Sequence, residues 1–161
     1  MILIMPWAKV TRQEVLVEVK VLVEDLRIFR IQTMMNFFNL GSHPVNLIYR
    51  FLLEILVLFV VALWSWRSVG GWMGLVLAFV LPFALALIWG IFAVPDDPSR
   101  SGKAPVPIAG SLRLLLELLI FSFAIWCLAD QGMPFFAAAF AILVLFHYII
   151  SMDRVKWLVK Q

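Results

Sequence analysis

Residues 46–66 read NLIYRFLLEILVLFVVALWSW, and the fold follows from how this stretch is read. As a helix it covers roughly 31 Å at 1.5 Å per residue, close to the hydrocarbon thickness of a bilayer. Its second half carries no charge, yet Arg50 and Glu54 stand in its first half. Four residues apart, these side chains share one helical face and can pair. A charge at the centre of a span costs ~2.5–3.5 kcal/mol on insertion scales and less near the end. Such a pair is therefore expected to face protein rather than lipid.

The same doublet occurs again. Arg50-Phe51-Leu52-Leu53-Glu54 has a counterpart, 63 positions later, in Arg113-Leu114-Leu115-Leu116-Glu117. Leucine matches mean little in an apolar background, so the paired Arg and Glu carry the similarity. The remaining spans show no match at that offset, which leaves an internal repeat of two tandem helical hairpins open. Both copies would point the same way across the membrane.

Composition supports a membrane reading. The chain has 161 residues, is 64% hydrophobic and has a mean hydropathy of +1.02. Soluble domains are ~45–50% apolar, so the lipid bilayer is the first partner implied. The formal charge of +3 is scattered along the chain rather than clustered, which argues against nucleic-acid binding. Cys127 stands alone and reads as a small buried apolar side chain. One cysteine and two histidines make a metal centre an unsupported expectation, and no cofactor is implied. There is no Gly-rich phosphate loop, zinc-protease helix motif or nucleophile-elbow serine, so the chain does not read as an enzyme.

Two regions are expected. Residues 1–40 form an N-terminal extension in which Val15, Val17, Val19, Val21 and Val23 alternate like a strand. Val15, Val19, Leu22, Leu26 and Phe29, in contrast, fit one helical face. An amphipathic helix on the membrane surface is preferred; the alternative is that translation starts at Met34 or Met35. Residues 41–161 read as an all-α, integral membrane four-helix bundle with spans at 46–66, 72–94, 111–129 and 134–152. Pro44 and Pro134 suit helix entries, and Pro82 should kink the second span. Residues 95–110, with four prolines and two aspartates, read as a solvated loop. Arg100, Lys103, Arg154, Lys156 and Lys160 lie on one side and Arg67 on the other, which puts both termini in the cytoplasm.

Helix rise then sets the depth of the polar groups. Glu54 lies about 12 Å into its span and Glu117 about 9 Å, while Trp89 and His147 lie about 9 and 6 Å from the ends of theirs. One polar layer of Arg50, Glu54, Arg113, Glu117 and His147 is expected, with Asn46 and Trp89 at its margin. The pairs could simply fix register and rotation between helices. Alternatively, the layer opens to the cytoplasm as a pocket. It would then serve a binding or accessory module for a small anion, a lipid headgroup or a partner's charged group, with Arg50 and Arg113 as bidentate donors. A small permease, proton-coupled through Glu54, Glu117 and His147, is the alternative function. Self-association or membership of a larger membrane complex stays open.

Several separated motifs also resemble a known family. Asn46-Leu47 with Arg50-Phe51-Leu52-Leu53-Glu54, Trp89-Gly90 with Phe92 and Pro95, Leu112-Arg113 through Glu117, and His147-Tyr148 with Ser151, Asp153-Arg154 and Trp157-Leu158 are similar to the YrdB-like family of small bacterial membrane proteins. The likeness covers residues 46–158. It implies a four-helix protein of the bacterial inner membrane and carries no activity with it. Small multidrug exporters also have four spans and a glutamate in the first. The second glutamate, the arginine before each and the strong orientation bias depart from that pattern.

Overall fold

The computed structural model describes residues 12–38, 41, 43–97 and 104–161. The chain divides into two compact units, Met1–Phe38 and Asn39–Gln161. In the first, α1 spans Arg12–Phe38. The alternating valines are therefore helical. Val15, Val19, Leu22, Leu26 and Phe29 do fall on one stripe, but Val17, Val21 and Ile28 form a second, so the apolar surface is split between two sides.

The second unit is built from α2 (Pro44–Val69), α3 (Gly71–Ile91), a short ladder of β1 (Phe92–Ala93) and β2 (Val106–Pro107), then α4 (Gly110–Asp130), α5 (Pro134–Ile150) and α6 (Met152–Val159). Helix α2 starts where Pro44 loses no hydrogen bond, and the His43 imidazole Nδ1 accepts from the Val45 N–H at 3.3 Å. It ends at Gly70 and Gly71, whose φ values of 68° and 58° favour glycine and reverse the chain tightly. Helix α3 runs unbroken through Pro82.

The apolar stripe of each helix faces its neighbours. Leu53, Val57, Val60 and Val61 of α2 meet Ile120, Phe121, Ala124, Cys127 and Leu128 of α4 and Ala137, Phe140 and Val144 of α5. Leu81, Leu85 and Trp89 of α3 pack against this core. Helices α2 and α4 run parallel. Their starts are joined by Arg50 and Glu117, and their ends by Trp64, whose indole N–H donates to Asp130 at 2.8 Å. The outward faces stay apolar: Phe59, Phe79, Phe83, Phe135 and Ile142 are all more than 60% exposed. Helices α2, α3 and α4 are long and apolar enough to cross a membrane; a fourth candidate arises when α5 and α6 are counted together.

Two boundaries differ from expectation. The fourth stretch, expected over 134–152, stops at Ile150, and α6 turns away by 72°. The second, expected to reach residue 94, stops at Ile91 because Phe92–Ala93 pairs in parallel with Val106–Pro107. That ladder folds the loop back on the helices. Asp97, expected in solvent, is only 8% exposed.

One glycine makes the α6 turn workable. A Cβ on Gly110 would run into the Leu158 carbonyl, so α6 can cross the start of α4 only because that position is bare. Leu158 and Arg154 are buried on the face α6 presents.

Candidate functional site

Glu117 is the centre of the site. It is 1% exposed, and burying a carboxylate costs several kcal/mol unless charge and hydrogen bonds offset it. Three guanidinium groups do so. Arg113, one turn earlier on α4, donates Nε at 2.9 Å, and Arg50 of α2 donates Nη2 at 3.0 Å. Arg154 of α6 donates Nη1 at 2.9 Å and Nη2 at 2.8 Å, one to each carboxylate oxygen. One acid thus ties three helices together.

The outer partners complete a chain of charges. Arg50 Nε donates to Glu54 at 2.9 Å, and Arg154 Nη2 also reaches Asp97 at 3.0 Å. Arg113 Nη1 donates to the carbonyls of Trp89 (2.7 Å), in the last turn of α3, and of Phe92, just beyond its end. The Trp89 ring lies under two cations, with guanidinium carbons 4.9 Å (Arg113) and 5.8 Å (Arg50) from its centroid. Among the described residues, Arg50, Arg113 and Arg154 stand against Glu54, Glu117 and Asp97.

The cluster opens on one side. Arg50, Glu54, Trp89, Asp97 and Arg113 line a cavity of about 270 Å³, closed elsewhere by apolar side chains such as Leu47 and Phe51. A second cavity of about 180 Å³ lies beside it between α2 and α3. It shares Phe51, Glu54, Trp89 and Gly90 with the first and is otherwise lined by Ile55, Val57, Leu58, Leu85, Ala86 and Ile120.

The residues expected in the polar layer divide into three groups. Arg50, Glu54, Arg113, Glu117 and Trp89 come together as described. Asn46 belongs to a separate network: its amide donates to the Gly41 carbonyl at 3.0 Å and to Ser151 Oγ at 2.8 Å. Asp153 accepts from the Gly41 N–H nearby, so this network ties the approach to α2 to the α5–α6 junction. His147 is 2% exposed, packed edge-on to Tyr49 and Tyr148, and makes no ion pair among the described residues. Its Nδ1 is buried without a hydrogen-bond partner among the described residues.

Arg154 and Asp97 join the cluster without having been expected there. Both were counted as loop charges. A signal for Arg154 exists: His147, Ser151, Arg154 and Leu158 are all buried and follow at spacings of four, three and four. Asp97, in an Asp-Asp pair between prolines, carries no comparable signal. Among the described residues, no group of three or more His, Cys, Asp or Glu side chains is placed to hold a metal ion.

Fold and site together define a helical protein with three to four helices apolar enough to cross a membrane and a buried charge cluster where two of them begin. A family model described as "Protein of unknown function (DUF2568)" matches residues 48–145. "Uncharacterized protein YrdB" of Bacillus subtilis (strain 168) is 43% identical over 119 residues, covering 74% of this chain and 97% of that protein. The chain belongs to this YrdB-like DUF2568 family. No solved structure matches it.

Proposed function

We propose that this protein is a binding module of the bacterial inner membrane whose charge cluster forms the floor of a cytoplasm-facing pocket. In this reading α2, α3, α4 and α5 cross the bilayer, α6 lies along the inner surface, and both termini are cytoplasmic. The uneven distribution of loop Lys and Arg supports the orientation. The observation that carries the binding function is the open cavity beside Glu54. Pairs that served packing alone would be sealed, whereas here Arg50, Glu54 and Arg113 each contribute to a cavity wall. Glu117 acts as the fixed post that holds the arginines in position, and Trp89 stiffens them from the other face. The pocket takes a small polar group such as a headgroup or phosphate.

The packing beyond the layer favours binding over permeation. Val57, Val61, Ala124 and Cys127 fill the space between α2 and α4 with at most 2% exposure. Thermal unfolding of the purified protein tests the proposal, with inorganic phosphate, phosphoethanolamine and dihexanoyl phospholipids as probes. At a hundred times its dissociation constant, a true ligand should raise Tm by about 5–10 °C. With phosphoethanolamine, whose ammonium needs the carboxylate, the rise should shrink in Glu54→Gln. No shift with any probe would contradict the reading.

A further inference from the structure

Resting on that reading, we propose that the occupant is a phospholipid with a primary-amine zwitterionic head, of the phosphoethanolamine type, entering sideways between α2 and α3. Two observations carry this. The polar cavity is continuous in its walls with the apolar slot: Phe51, Glu54, Trp89 and Gly90 border both, and the slot adds Leu58, Leu85 and Ala86. A water-soluble ion would use the first cavity and leave the second dry; an amphiphile fills both. The slot lies on the lipid-facing seam between two helices, which is where an acyl chain would enter.

Charge selects the head. The side chains that line the cavity carry both signs, Arg50 and Arg113 against Glu54 and Asp97, which suits a head that carries both charges. Glu54 gives one oxygen to Arg50 Nε, and its second oxygen accepts from no described residue, leaving an acceptor for an ammonium N–H. Across the same cavity, Arg113 presents a guanidinium suited to a phosphate oxygen. A quaternary ammonium fits worse. It has no N–H for Glu54, and the Trp89 face that could receive it is already occupied by Arg113 and Arg50.

Native mass spectrometry of the full chain released from nanodiscs tests this. The lipids are phosphatidylethanolamine, phosphatidylcholine and phosphatidylglycerol of matched acyl chains, with free phosphoethanolamine as a fourth arm. The ethanolamine lipid should be retained at least fivefold more than either other lipid. That preference should fall towards one in Glu54→Gln. Gly90→Leu should abolish retention, because a Cβ at Gly90 meets nothing within 4 Å and the added side chain enters the cavities. Ala86→Leu blocks the slot from a second position should Gly90→Leu fold poorly. Equal or greater retention of the choline or glycerol lipid would overturn the headgroup assignment. Free phosphoethanolamine held as tightly as the whole lipid would overturn the amphiphile while leaving the binding module intact. Undiminished retention in both filling variants would place the lipid elsewhere and overturn the site.

Discussion

Glu54 and Glu117 are the same residue type in the same local motif, yet their surroundings differ. Glu117 receives four N–H bonds from three arginines and is sealed from solvent; Glu54 receives one, and its side chain is 26% exposed. Removing one partner of a buried ion cluster typically costs about 3–5 kcal/mol, because the remaining charges stay buried and unmatched. Glu117→Gln takes from Arg50, Arg113 and Arg154 the charge they share and should destabilise the protein by that order. Glu54→Gln should cost no more than ~1 kcal/mol, the range for a partly solvated pair. Denaturant titration in detergent measures both. Equal losses would mean that Glu117 does not anchor the cluster. Arg154→Lys should also be costly, since one guanidinium serves both Glu117 and Asp97 and an ammonium cannot reproduce that fork.

Among the elements, the decisive contact is α6 across the start of α4. Gly110 permits it, and Arg154 rides on it into the cluster. Gly110→Ala should push α6 outward and lower stability by about 1–3 kcal/mol, the usual cost of overpacking. It should also make Arg154→Gln nearly harmless in the double variant, as the pair acts through one contact. Additive losses would separate α6 placement from the cluster. This level also explains what could be read in advance. Helix starts at Pro44 and Pro134 and the turn at Gly70-Gly71 were legible because proline and glycine constrain the backbone locally. The Arg–Glu doublets were legible because a spacing of four defines a helical face. The bend at Ser151 was not, since neither proline nor glycine marks it. Asp97 was hidden because its burial depends on a strand pairing between segments 14 residues apart, Phe92 with Val106.

For the molecule as a whole, the central proposition is that the charged entries of two parallel helices converge beside an opening on the cytoplasmic side. Residues Met1–Phe38, with α1, form a compact unit of their own. A cysteine placed at Glu54, in a Cys127→Ala background, reports directly on that opening. With a membrane-impermeant maleimide, it should label in inside-out vesicles and stay protected in right-side-out ones. Protection on both sides would mean that the cluster is sealed. Labelling from the outside alone would mean that the protein lies in the membrane the other way round.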